Sequence, residues 1–197
     1  YKTGFQLGLK HGLYPLSRVA RDMGNNKPLI YDHQKAGTDI PDTGASFMDV
    51  VRRGGMNAVI LFPQSGPATQ EVWIKAAQDK GLGVIVGGIM THQKYLRSDG
   101  GYIDDNAAME IYVNAARLDV SDFVVPGNKP DAIKKIKQIL EGEGIVPVFY
   151  APGFVAQGGE ISEGARAAGE RFHAIVGRGI YGANDIRQAA LDLTSKI

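Results

Sequence analysis

Short apolar runs recur along the chain, each closed by glycine, proline or polar residues and followed by a stretch with helical spacing. That alternation is the signature of a parallel sheet whose strands are joined by crossover helices. The runs are PLIYD (28–32), NAVILF (57–62), GVIVGGI (83–89), DFVVP (122–126), IVPVFYAP (145–152) and FHAIVG (172–177). Helices are expected between them over 43–53, 68–80, 106–118, 130–141 and 161–168, and the opening YKTG reads as the tail of one more strand.

Seven strands result, and a closed barrel of the common type has eight, so the first would precede Tyr1. An open doubly wound sheet is the alternative. It gathers its site at one switch point, whereas here polar and glycine-rich segments follow nearly every strand. The pattern therefore predicts one α/β domain, 1–197, of the (β/α)8 TIM barrel class. There is no further repeat, low-complexity segment or linker.

Composition narrows the possible functions. The 22 basic and 21 acidic residues nearly cancel and no Lys/Arg block stands out, so nucleic-acid binding has no electrostatic footprint. With no cysteine there is no disulfide framework, thiolate nucleophile or Cys-ligated metal centre, which suits a reducing cytoplasm. No unbroken apolar stretch is long enough to span a bilayer, and no signal-peptide pattern opens the chain.

The clearest local chemistry lies near the C-terminus, where PGFVAQGG (152–159) follows one strand and GRGIYGA (177–183) the next. In barrels the loops after strands seven and eight often cradle phosphate, because glycine lets backbone N–H groups approach closely. Arg178, between Gly177 and Gly179, offers a planar pair of donors, and Gln157, before Gly158, offers an amide. Singly, these are turn glycines and a surface charge; together, after consecutive strands, they favour phosphate.

A second cluster, YDHQKAGTDIPDTG (31–44), sits where a strand ends and its loop begins, and Asp32, Lys35 and Asp39 alternate in charge. Opposed carboxylates and an ammonium fix one another's protonation and can deliver a proton to a bound substrate. A salt-bridged loop is the alternative. Asp104 and Asp105 read as helix-capping groups rather than metal ligands, and Trp73 and Tyr112 as packing residues. His11, His33, His92 and His173 are assigned no role in the chemistry.

KAGTDIPDT resembles the latter part of the Asp-x-Lys-x-x-Asp-Ile-Pro-x-Thr signature of the orotidine 5′-monophosphate decarboxylases. MTH (90–92), VVPGNKP (124–130), PGFVAQGG and VGRGIYGA resemble that family's later motifs in order, over almost the whole chain. Two departures stand out: Asp32 and Lys35, and Lys35 and Asp39, are each separated by one residue more than in the signature. Strict alternation along a strand would turn Asp32 and Lys35 to opposite faces, so a bulge or an early strand end is required. The family's first strand is also absent from the chain as given.

The resemblance implies a cytoplasmic pyrimidine-biosynthetic lyase that forms uridine 5′-monophosphate without metal or organic cofactor. It implies Lys35 as proton donor, Asp32 against the leaving carboxylate, Lys2 steadying Asp32, and Asp39 crossing a homodimer interface. Thr43 would bind ribose, Thr91 the pyrimidine amide, and Gln157, Gly158, Gly177 and Arg178 the phosphate. The segment 91–105 is a candidate lid. The alternatives are a magnesium-dependent sugar-phosphate lyase of the same superfamily, whose motif has Asp-Ala-Gly where this chain has Asp39-Ile40-Pro41, and a non-catalytic phosphate-binding barrel.

Overall fold

The computed structural model describes residues 1–24, 26–155 and 159–197, which fall into two compact units. The first comprises 1–88 with 117–120, the second 89–116 with 121–197.

In the first unit, β1 (Lys2–Gly4) leads into α1 (Phe5–His11) and α2 (Leu13–Met23), followed by β2 (Ile30–Ala36) and α3 (Gly44–Arg53). Then come β3 (Ala58–Leu61), α4 (Pro67–Asp79) and β4 (Gly83–Gly87). The strands pair in parallel in chain order, with Gly4 beside Asp32, Tyr31 beside Val59 and Val59 beside Val84. Helices cover the sheet through stripes at helical spacing: Met48 and Val51 on α3, and Trp73, Ile74 and Ala77 on α4, are all buried. Pro67 starts α4 where its missing N–H costs nothing.

In the second unit, α5 (Asp105–Ala116) precedes β5 (Asp122–Val124), α6 (Pro130–Gly142), β6 (Val148–Ala151) and α7 (Ile161–Ala168). It ends with β7 (Phe172–Ala174), α8 (Arg178–Tyr181) and α9 (Ile186–Thr194). β5, β6 and β7 are again parallel and in order. Ile133, Ile136 and Leu140 of α6 form its fully buried stripe.

The expected helices appear within one or two residues, and 161–168 matches α7. Two differences are informative. The strand read as 28–32 continues through Lys35 to Ala36 as an irregular segment, and the stretch after YKTG forms α1 and α2, which the apolar runs did not indicate. α1 buries none of its residues, so it lacks the stripe on which such a reading rests. Among the described residues no helix is long and apolar enough to cross a membrane.

Tyr112 of α5 is fully buried, and its hydroxyl donates to the Val124 carbonyl (2.9 Å) and accepts from the Ile89 N–H (3.1 Å). It thereby ties the start of the MTH segment to β5. Tyr112→Phe removes both bonds without altering shape and should destabilise the fold by about 1–3 kcal/mol. Urea denaturation would measure this, and a loss below about 0.5 kcal/mol would show that the hydroxyl does not hold these elements together.

Candidate active site

Lys2, on β1, points its ammonium at Asp32 on β2, with Nζ 3.0 Å from Oδ2. The Asp32 side chain is 8% exposed. A carboxylate so enclosed needs donors to offset its lost hydration, and among the described residues it has three. Besides Lys2, the backbone N–H of Gln34 donates to Oδ1 (3.0 Å) and its side-chain amide to Oδ2 (3.4 Å).

Lys35 joins this pair through a distortion of the strand. Tyr31 pairs with Val59 and Ala36 with Leu61, so five residue steps on β2 span two on β3. The surplus is a bulge in which Gln34 (φ 55°) and Lys35 (φ 80°) are both left-handed. Bulges re-aim side chains in this way, and left-handed non-glycine residues in succession carry backbone strain. The required irregularity is therefore present, and Lys35 lies within electrostatic range of Asp32 and Lys2.

The Lys35 Nζ rests over the Phe62 ring, 4.3 Å from its centroid, a cation–π placement. Phe62 is 1% exposed, and Gly87 gives it room: a Cβ there would lie 2.2 Å from the ring. Burial pushes Lys35 below the usual lysine range; the Asp32 carboxylate pulls it back up, and Lys2 adds a smaller push down. The array thus holds a weakly solvated ammonium beside a carboxylate already occupied by other donors.

Asp39 and Thr43 lie apart from this array. Asp39 is exposed, its carboxylate accepting from the Ile40 N–H (2.7 Å), and it is not among the charges acting on Lys35. The Thr43 hydroxyl donates to the Ile40 carbonyl (2.9 Å). From α4, Thr69 donates to the Asp39 carbonyl (2.9 Å) and Trp73 to the Ile40 carbonyl (3.1 Å), fixing the segment by its backbone. Asp39 and Thr43 line a groove of about 510 Å³ with Leu9 and Val50, which are 73% and 63% exposed. The groove also holds His33, hydrogen-bonded to the Tyr31 hydroxyl and edge-on to Phe47.

In the second unit, the Thr91 carbonyl accepts from the Asn128 amide (3.1 Å), and Lys129 Nζ donates to the carbonyls of Met90 (3.2 Å) and His92 (3.4 Å). The Thr91 methyl faces Gly153 (φ 111°), where a Cβ would come within 2.9 Å of it. Gly177 and Arg178 open α8, both exposed. Gln157 and Gly158 lie outside the described residues; beside them, Gly159 bonds through its N–H to the Gly153 carbonyl (3.1 Å). The 91–105 segment is folded on itself, with Leu96 bridging Ile103 and the Asp105 carboxylate accepting from the Ser98 N–H (3.0 Å). Asp104 caps α5 by accepting from Asn106 and Ala107 N–H groups, as expected, and Trp73 and Tyr112 are packing residues.

Gln34, Phe62, Asn128 and Lys129 were not among the candidates read from the sequence. Only Gln34 carried a signal, as an extra polar residue inside the motif. Tyr150 was missed as well: burial and the Asp122 carboxylate it donates to (3.0 Å) push it up to about 12, so it remains a neutral donor.

Parallel strands followed by helices, with an enclosed ammonium–carboxylate array at one strand end, define the class of α/β enzymes that act at strand C-termini. The comparisons with known proteins give the class its name. The chain belongs to the orotidine 5′-phosphate decarboxylase / HUMPS family, whose model matches residues 1–193. It is similar to the orotidine 5′-phosphate decarboxylase of Methanosarcina mazei, 30% identical over 196 residues, covering 100% of this chain and 82% of the relative. It is likewise similar to that of Methanocaldococcus jannaschii, 30% identical over 193 residues, covering 96% and 82%.

Among solved structures, it resembles the M. jannaschii orotidine 5′-monophosphate decarboxylase complexed with the inhibitor BMP, with a TM-score of 0.82 and 25% identity over 99% of this chain and 83% of that one. The Pyrococcus horikoshii enzyme gives 0.77 and 28% over 100% and 85%. The fold class is thus the α/β TIM barrel expected from the alternation.

Lys35 also makes a stability prediction. Its folded pKa lies below the unfolded 10.5, so between the two the folded state holds fewer protons and stability rises with pH. The penalty is fully present below the folded pKa and is relieved as pH rises from there toward 10.5. Lys35→Met should therefore raise the thermal midpoint at pH 7, with the advantage shrinking toward pH 10.5. Calorimetry across pH would show it; a lower midpoint at pH 7 would mean that burial of the ammonium is more than compensated.

Proposed function

We infer that the chain decarboxylates orotidine 5′-monophosphate to uridine 5′-monophosphate in pyrimidine biosynthesis, as a carboxy-lyase acting in one catalytic domain in the cytoplasm. The observation that carries this is the Lys2–Asp32 pair with the enclosed Lys35 ammonium beside it. The family and the relatives' names supply the substrate. A magnesium-dependent sugar-phosphate lyase is not favoured, since both relatives above are named decarboxylases and Asp39 is followed by Ile40-Pro41.

The chemistry follows from the charges. As the bond from C6 to the carboxylate breaks, CO2 leaves and the electron pair stays on C6, where no ring position readily absorbs it. An ammonium roughly 3–4 Å away favours that carbanion by roughly 4–5.5 kcal/mol at an effective dielectric near 20, and does little for neutral bases. Lys35 then gives its proton to C6 and recovers one from water. Asp32 stands against the departing carboxylate, so like-charge repulsion weighs on the ground state and vanishes as neutral CO2 forms. Lys2 and Gln34 hold Asp32 for that task.

Arg178 and Gly177, with Gln157 and Gly158, take the 5′-phosphate, whose binding energy is spent on assembling the site. Thr91 reads the pyrimidine amide and Thr43 the ribose. The purified protein should consume orotidine 5′-monophosphate in EDTA, followed by loss of the substrate's ultraviolet absorbance. No turnover by folded protein would overturn the assignment, and a requirement for magnesium would favour the lyase.

The working form is a homodimer with shared sites. Supporting this, Asp39 stays out of its own chain's Lys35 array while lining an apolar-edged groove that a second copy would cover. Lys35→Ala and Asp39→Asn should each be inactive and should rescue each other when their subunits exchange. Half of the dimers would be mixed, each with one intact site of two, so about a quarter of wild-type activity should return. No recovery despite demonstrated exchange would place Asp39 in its own chain's site.

A further inference from the structure

Thr91 is held at several points within the second unit. Its carbonyl accepts from the Asn128 amide (3.1 Å), and the carbonyls on either side, of Met90 and His92, accept from Lys129 Nζ (3.2 and 3.4 Å). Its methyl lies against Gly153, which has a left-handed backbone (φ 111°). A Cβ added to Gly153 would come within 2.9 Å of that methyl, 3.1 Å of Asn128 Oδ1 and 3.3 Å of Asn128 N. Asn128 therefore packs on the same glycine that seats the methyl. The Thr91 hydroxyl, by contrast, carries no hydrogen bond among the described residues.

We propose that Asn128 is a positioning residue for substrate recognition: by holding the Thr91 carbonyl it fixes the backbone from which the Thr91 hydroxyl meets the ring amide, and so governs affinity for the pyrimidine and not for the phosphate. This rests on the decarboxylase reading, in which Thr91 reads the pyrimidine. The physical reason is the geometry of threonine. Its Cβ carries the methyl and the hydroxyl at a fixed angle, so a seated methyl and a fixed backbone leave the hydroxyl one direction. A hydroxyl aimed in advance loses little rotamer freedom on bonding the ring. Without the Asn128 donor the Thr91 peptide is free to turn, the methyl leaves Gly153, and the hydroxyl samples other rotamers. Glycine at 153 supplies both the left-handed backbone and the space that the methyl fills.

The test compares two ligands by calorimetry: uridine 5′-monophosphate, and ribose 5-phosphate, which keeps the phosphate and lacks the ring. Asn128→Ala should weaken binding of the first about 10-fold and of the second less than about twofold. In a Thr91→Ala background the same substitution should weaken nucleotide binding by less than about twofold more, because its effect passes through Thr91. Asn128→Asp keeps the shape but turns an oxygen toward the Thr91 carbonyl, and it should separate the two ligands in the same sense. Unchanged nucleotide affinity overturns the proposal. So do equal weakening of both ligands, which would mark a role in the segment carrying Gly153, additive losses in the double variant, and unfolding of both Asn128 variants, which would mark a structural role.

The Thr91 rotamer, read by NMR from three-bond couplings to its methyl carbon, is independent of any ligand. Wild type should show a single χ1 and Asn128→Ala an average over several. The same single χ1 in the variant overturns the proposal. A wild type that binds no uridine 5′-monophosphate would refute the functional reading alone, leaving this rotamer to decide the positioning.

Discussion

An ammonium removed from water beside a carboxylate that other groups already hold is the constraint around which the first unit is arranged. Lys35 loses hydration over the Phe62 ring, and the attraction of Asp32 does not fully restore what burial takes away. An isolated arrangement of this kind would relax, either by letting the lysine out or by drawing it onto the aspartate. Surrounding packing prevents both. Gly87 admits the Phe62 ring, the pairing of β1 with β2 brings Lys2 to Asp32, and the bulge fixes the lysine's direction.

The same economy of backbone groups governs the segments that carry the remaining candidates. Thr69 and Trp73 hold the Asp39–Ile40 segment by its carbonyls, leaving the Asp39 carboxylate and the groove-lining face of Thr43 for other tasks. In the second unit Asn128 and Lys129 bond the carbonyls of Met90, Thr91 and His92, and Tyr112 bonds the N–H of Ile89. In each case the chain satisfies backbone groups with buried or half-buried side chains from a neighbouring element. A loop held in this way presents its own side chains in a defined direction without regular secondary structure.

The sequence made the strands and most helices legible because the strands are continuous buried runs and the helices bury one periodic face. Val59 to Phe62 and Val84 to Val86 are enclosed, and α6 repeats Ile133, Ile136 and Leu140. It left α1 and α2 unread, since Gly4, Gly8 and Gly12 interrupt the pattern and only Ser17 is buried along the two helices. The run 145–152 was read too long because apolar character continues through Pro147, whereas the strand begins after it, at Val148. Asp32 and Lys35 were named from the residues and Lys2 from the resemblance, and the need for a bulge followed from strand alternation. The conformation of that bulge did not, because nothing in residue type announces two successive left-handed residues where neither is glycine.

Motif spacing is a shorthand for atomic placement, and here the two separate. With one residue more between Asp32 and Lys35 than the signature has, a regular strand would point the lysine to the other face. Gln34 and Lys35 absorb the addition by leaving the strand conformation, at the cost of strain, and regular pairing resumes at Ala36 with Leu61. Such strain persists only where its surroundings over-determine it, and here they do: Asp32 binds the Gln34 backbone N–H, and Phe62 underlies the Lys35 ammonium. An insertion between two motif residues is therefore no argument against the family resemblance when its geometry returns the charged groups to one another. It adds a residue with donors of its own, set against the Asp32 carboxylate.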